Sequence, residues 1–493
     1  MKKKIFAAIF AVLFAAGFFA ACGSNLDSVS KKITTYKIVA MFDDEENILT
    51  CSQDVEYYNG TEVVLNEINF HLYPNAFGEH AQNKPVSLNG YQTAYYNGLN
   101  YGYIIINHVF VEGDEITFEI GGEDNNILEV PILELYPGDF VSLKIEYEVK
   151  LPNIKHRFGY AENTYNFGNF YPIACVYESG GFMRDPYNSN GDPFYSEMAN
   201  YNVTISFDEG FVAAHTGEAK KTESKEGITS INIEAKVVRD FAFVLSRNFE
   251  VVSEKYGDTT VSYYYYDDPQ HMTSLKAGVD ALATFSRLFG EYPYPTLSIV
   301  KTNFLHGGME YPNLVYISDA MSSDGEYLNV IIHEVAHQWW YGLVGSNSYR
   351  NAWLDEGLTE FSTIMFYENN PDYGVDANAK LNSALSSYLL FLDIYNNVYK
   401  ETNTSMNRAL DEYSGEMDYV YTTYVRGMLL FREIRDMVGG KDFLEALKFY
   451  FKENCFKIAE PADLIYAFEK VSRKNLEGYM MSWIEGKEVL VAK

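Results

Sequence analysis

The spacing of apolar residues changes once along this chain, and that change limits the folds open to it. From about residue 35 to 248, segments such as YKIVAMFDD, LTCSQDVEYYN, LNEINFHLYP, VSLKIEYEVKLP and YNVTISFDE alternate or run apolar over short stretches. Tyr, Val, Ile and Phe dominate them, and NG, GD and EG punctuate them, as strands and tight turns require. Near residue 270 the spacing becomes helical, beginning with DPQHMTSLKAGVDALATFSRLFGEYPYP. A short strand, LSIVKTN, follows. Helices are then expected over 324–345, 353–369, 376–395, 417–438, 441–454, 461–472 and 474–485. The expected fold class is multidomain α+β: an all-β sandwich or saddle over 35–248, then an α-rich domain over 249–493. At 493 residues and 47% hydrophobic, the chain can bury the cores this needs.

Charge narrows the partners. Lys and Arg number 38 against 68 Asp and Glu, a net −30. Such a surface repels phosphates, so nucleic acid is excluded as a partner. The first residues differ from the rest. MKKK, then IFAAIFAVLFAAGFFA, then the small residues before Cys22 read as a secretory signal over 1–21. The end of this segment resembles a bacterial lipobox, with Phe19 where Leu is usual. The resemblance implies lipidation at Cys22 and a protein held on the outer face of a bacterial membrane; a plain cleaved signal is the alternative. Residues 22–34 are expected to be the lipidated cysteine and its tether. Cys51, Cys175 and Cys455 show no CxxC spacing and read as small buried hydrophobes.

Chemistry concentrates in VIIHEVAHQWWYG, residues 330–342. On a helix, His333 and His337 share a face one turn apart, so both imidazoles can reach one metal ion. Glu334 lies about 100° around the axis. That is too far to ligate beside His333, yet suits it to accept a proton from water at the metal. A catalytic zinc site needs a third protein ligand. Glu356, 18 residues beyond His337 in AWLDEGLTEF, supplies it if the chain returns antiparallel through YGLVGSNSYRNAWLD. The set His333, His337 and Glu356 predicts one Zn2+ per chain. Trp339 and Trp340 are assigned to core packing.

HEVAHQWWYG followed by WLDEGLTEF resembles the aminopeptidase N family of zinc metallopeptidases, the gluzincins. HGGMEYPNLVYIS (306–318) is similar to its GxMEN motif, and YVRGMLLFREIRDMVG (424–439) to its Tyr-x-Lys-Gly segment. INFHLYPNAF, KHRFGYAENTYNFGNFYPI and RDFAFVLS resemble the N-terminal saddle of bacterial members, so the likeness covers about 55–487. It implies a thermolysin-like catalytic domain after the saddle. It also implies roles: Glu310 binds the substrate's α-amino group, Gly307 and Gly308 run beside the substrate as an edge strand, and Tyr424 stabilises the oxyanion. Tyr419 and Tyr421 are the competitors for that last role. Asn169 and Glu178 are candidates for a second amine-binding residue from the N-terminal domain.

This sequence departs from the family pattern at Tyr311 (Asn in GxMEN, here followed by Pro312), Arg426 (Lys) and Asp355 (Asn). Its end soon after MMSWIEGKEVLVAK leads us to expect an open cleft without the further domains of longer members. The expected function is removal of N-terminal residues from peptides with a free N-terminus. The alternatives are a zinc endopeptidase with an open cleft and a non-catalytic peptide-binding lipoprotein.

Overall fold

The computed structural model describes residues 26–321, 325–400 and 402–488. The signal segment 1–21 and Cys22 lie outside the described residues. Of the expected tether, Leu26–Val29 forms one helical turn with Leu26 packed on the core, because Leu26 gives this polar stretch one apolar anchor.

The alternating segments form the strands the spacing predicts. In Thr34–Asp43, Tyr36, Ile38, Ala40 and Phe42 are buried while their neighbours face water. Ile48–Tyr58 does the same with Leu49, Cys51, Val55 and Tyr57. Its inward Gln53 is satisfied: Nε2 donates to Pro172 O at 2.9 Å, and Oε1 accepts from Tyr147 OH at 3.2 Å. These strands lie near the middle of an eight-stranded sheet. Its spatial order is Glu218–Lys225, Ile228–Val238, Ala199–Asp208, Thr34–Asp43, Ile48–Tyr58, Phe140–Lys150, Tyr103–Val111 and Asp114–Glu115. Only the Thr34–Asp43 and Ala199–Asp208 pair is parallel in this sheet. Two four-stranded sheets and a two-stranded one complete the β-rich half.

The second half opens on a five-stranded mixed sheet. Its order is Glu250–Tyr256, Thr259–Tyr265, Thr296–Thr302, Leu314–Ser318 and Gly308–Met309. Apolar spacing predicts only the middle strand. The others are short, or rich in tyrosine and charge, and carry a weak periodic signal. Eight longer helices follow: α1 (His271–Leu288), α2 (Gly325–His337), α3 (Ala352–Asn369), α4 (Ala377–Tyr399), α5 (Arg426–Val438), α6 (Gly440–Asn454), α7 (Pro461–Ser472) and α8 (Glu477–Ile484). None among the described residues is long and apolar enough to cross a membrane. The α+β class is as expected.

Two expected helices are not uniform. Gln338–Leu343 continues α2 as a π-turn, and Tyr421–Val425 forms another that leads into α5. Trp339 and Trp340 are fully buried in the first, with indole N–H groups donating to Gly290 O and Ser362 Oγ. Cys51 and Cys175 are buried free thiols. Cys455 departs from the expectation for it: it is half-buried.

The two halves are locked by buried polar contacts. Asn303 Oδ1 accepts from the backbone N–H of Asn163 at 2.7 Å. Arg239, 2% exposed, donates from Nε to Tyr341 O at 2.9 Å and from Nη1 to Ser196 O at 3.1 Å. A guanidinium spread over carbonyls from both halves fixes their relation better than apolar contact alone.

Candidate metal centre and cleft

α2 buries Tyr327, Ile331, Ile332, Val335 and Ala336 against the sheet and α1. That choice of face turns His333 and His337 toward α3. Their Nε2 atoms lie 3.0 Å apart, and Glu356 Oε2 stands 3.3 Å and 3.1 Å from them. Zinc ligands at about 2.0–2.1 Å in a tetrahedral arrangement are about 3.3 Å from one another. The spacing fits one zinc ion.

The electrostatics fit as well. Burial alone would lower the His333 imidazole, but Glu356 and Glu360 outweigh it and raise it to about 10. Burial would raise the Glu356 carboxyl, yet His337 and His333 hold it below the usual range. A cluster that draws positive charge this strongly is built for a cation.

The outer nitrogens face carboxylates. His337 Nδ1 lies 2.6 Å from Asp355 Oδ1 and 3.2 Å from Thr359 Oγ1, and His333 Nδ1 lies 3.3 Å from Glu360 Oε1. Carboxylates behind ligating imidazoles fix the tautomer and raise basicity. Asp355, a departure in the sequence, thus has a place. Sequence reasoning missed Glu360, although it lies one turn beyond Glu356 on α3 and so on the same face.

Around the cradle is a cleft of about 600 Å³, lined by both halves of the chain. Glu334, 5% exposed, lies on it; burial pushes its carboxyl up to about 7, against the pull of His333 and His337. Glu310 closes one side. Its Oε1 has no hydrogen-bond partner, and a Glu310 oxygen lies within 4.8 Å of both Glu334 and His337. Gly308–Met309 is the last strand of the sheet, paired only with Leu314–Ser318, and Gly307 and Gly308 line the cleft. Of the expected pair, Gly308 is in the strand and Gly307 directly precedes it.

The three tyrosines differ in their surroundings. Tyr424 OH donates to Glu356 Oε1 at 2.6 Å, and burial raises that hydroxyl well above its usual range, so it stays a donor. Tyr419 lines the cleft and meets the Tyr424 and Tyr413 rings edge-on, and Tyr421 stacks on Phe391.

The candidates for a second amine-binding residue are not on the cleft. Asn169 accepts from Tyr311 OH at 2.7 Å and donates to Asp240 at 2.6 Å; Glu178 pairs with Tyr195 and Asn347. Both are held by packed polar neighbours. The N-terminal half instead brings Asp192 to the cleft, ion-paired with Arg157. No local pattern in the sequence marks that loop residue. Tyr311 is buried and ties the Glu310 segment to the other half through Asn169. Arg426 is buried, its guanidinium over Trp483 and donating to Trp483 O at 2.9 Å; it anchors α5 to α8.

Residues 274–483 match the sequence model of the peptidase family M1 domain. That match spans Glu310, the metal cradle and Tyr424. Among curated proteins, this chain is 24% identical over 332 residues to the tricorn protease-interacting factor F2 of Thermoplasma volcanium, covering 63% of this chain and 40% of that protein. It is 24% identical over 438 residues to aminopeptidase 2 of Candida albicans, covering 77% and 46%. It thus spans less than half the length of these curated relatives. Among solved structures, the M1 zinc metallopeptidase of Deinococcus radiodurans superposes with a TM-score of 0.64 at 16% identity, covering 93% of this chain and 95% of that one. A mutant of that protein has been solved with a Tyr-Ser-Ala substrate. The likeness is one of fold and runs through both the β-rich half and the helices.

Proposed function

We propose that this protein is a zinc-dependent aminopeptidase of peptidase family M1, acting on peptides with a free N-terminus. The observation that carries the reading is the placement of Glu310, an unpartnered buried carboxylate oxygen beside the metal cradle. An ammonium held there lies one residue from a carbonyl at the cradle. A further residue before it would need about 3.5 Å more chain, which the separation between Glu310 and His337 does not give.

His333, His337 and Glu356 would hold zinc, which supplies Lewis acidity toward the scissile carbonyl. Glu334 accepts a proton from the attacking water and delivers it to the leaving amine, work suited to a carboxyl raised toward neutral pH. The Tyr424 hydroxyl donates to charge developing on the carbonyl oxygen. Glu310 pairs with the α-ammonium, and the Gly307–Gly308 backbone aligns the peptide. Hydrolysis of an aminoacyl-anilide that stops with chelator and returns with zinc tests the chemistry. Turnover of N-acetylated peptides as fast as free ones would refute the exopeptidase reading.

We also propose a β-rich domain over 35–248 and a catalytic domain over 249–493, supported by the second sheet beginning at Glu250. Export and lipid anchoring at Cys22 are supported by the basic, apolar and small-residue run before it. If Cys22→Ser protein stays in the membrane fraction, the anchor is elsewhere.

A further inference from the structure

We infer that Gly357 and Gly427 form a spacer that sets the distance between Tyr424 and the metal cradle. The two residues are where α3 and α5 cross, backbone against backbone. A Cβ at Gly357 would stand 2.7 Å from Gly427 Cα and 2.9 Å from its carbonyl carbon; a Cβ at Gly427 would stand 2.8 Å from Gly357 Cα. Neither glycine has a positive φ, so conformation does not require them. Glycine inside a helix is disfavoured relative to alanine. Space at the crossing accounts for both.

The crossing lies next to the chemistry on each helix. Gly357 directly follows Glu356, and Gly427 lies three residues after Tyr424. The hydrogen bond from Tyr424 OH to Glu356 Oε1, 2.6 Å, spans the two helices beside that contact. The π-turn Tyr421–Val425 delivers Tyr424 into it. Ordinary carbon–carbon contact is about 3.5 Å or more, so one added methyl drives the helices apart by about 1 Å. At that separation the hydroxyl is out of hydrogen-bond range. His333 and His337 are on α2 and are not displaced. Gly357 and Gly427 are therefore positioning residues that act through Tyr424.

The kinetic test rests on the hydrolase reading above; the crystallographic test does not. Gly427→Ala should lower kcat about 100-fold, as a displacement of about 1 Å can, with KM within about threefold and zinc content unchanged. In a Tyr424→Phe background the same substitution should cost less than about threefold. An equal loss in both backgrounds, lost zinc, or a wild-type kcat would overturn the inference. Gly357→Ala provides the same cycle from the other helix. Crystal structures of zinc-loaded wild type and variant read the claim without turnover. The Tyr424 hydroxyl should be bonded to Glu356 in the first and out of range in the second. Should neither alanine variant fold, the wild-type crystal structure still decides: glycines out of van der Waals contact would overturn the spacer.

Discussion

Gly308→Ala adds one methyl at the edge strand and should remove most of the activity without touching the metal. A Cβ at this position would collide with Glu334 Oε1 and Cδ and stand 2.5 Å from Cγ. The clash reaches past the carboxylate tip, so rotating the terminal group does not relieve it. Glu334 is 5% exposed and packed in α2, and Gly308 is paired with Ile317 in the sheet. One of them must retreat by about 1 Å to reach ordinary contact. Misplacing a catalytic group by about 1 Å costs about 100-fold, or about 2.7 kcal/mol of barrier. Overpacking adds about 1–3 kcal/mol of lost stability. The assay is kcat and kcat/KM on an aminoacyl-anilide, with zinc stoichiometry and a melting curve. The three atoms nearest the added methyl all belong to Glu334 and none to a metal ligand, so zinc should remain at one per chain. Introduced into Glu334→Gln protein, Gly308→Ala should change kcat by less than about threefold, since both remove one function. A Gly308→Ala enzyme with kcat within about threefold of wild type would refute the reasoning.

Glu310→Gln keeps the shape and removes the charge. It should lower kcat/KM for free peptides by about 10–100-fold, the size of a charge-assisted hydrogen bond, and narrow the preference over N-acetylated ones; an unchanged preference would move amine recognition elsewhere. Asp355→Ala should weaken zinc affinity by about 10–100-fold in a competition titration, because Asp355 stands behind His337; unchanged affinity would make it packing only. Asp240 is buried without a cation, and burial raises its carboxyl to about 7 despite donors from Tyr171, Phe241 and Asn169. The unfolded chain titrates near 4, so the folded state holds the proton more tightly in between. Stability is full below about pH 4 and lost as pH rises through 7. Relative to Asp240→Asn, urea midpoints should show a loss of about 4 kcal/mol across that window; a flat difference would contradict it.

The residues legible in the sequence are those whose geometry is set by one helix. His333, Glu334 and His337 needed only the 3.6-residue turn, and Glu356 needed one antiparallel return. The strands of the first half were legible because one face of each is buried and the other is wet, which writes a period of two into the chain. What stayed hidden depends on approach between elements distant in sequence. Asp192 reaches the cleft from a loop without a local pattern, and Asn169 turns away because Tyr311 and Asp240 take its amide. The glycines show the same limit more sharply. Gly308 looks like a flexible residue in HGGME, and Gly427 like a weak point in a helix. Only the closeness of Glu334 to the first and of Gly357 to the second shows that both are there for room. A missing side chain records a constraint whose other half lies elsewhere in the chain. Such constraints become visible only when the fold brings the two halves together.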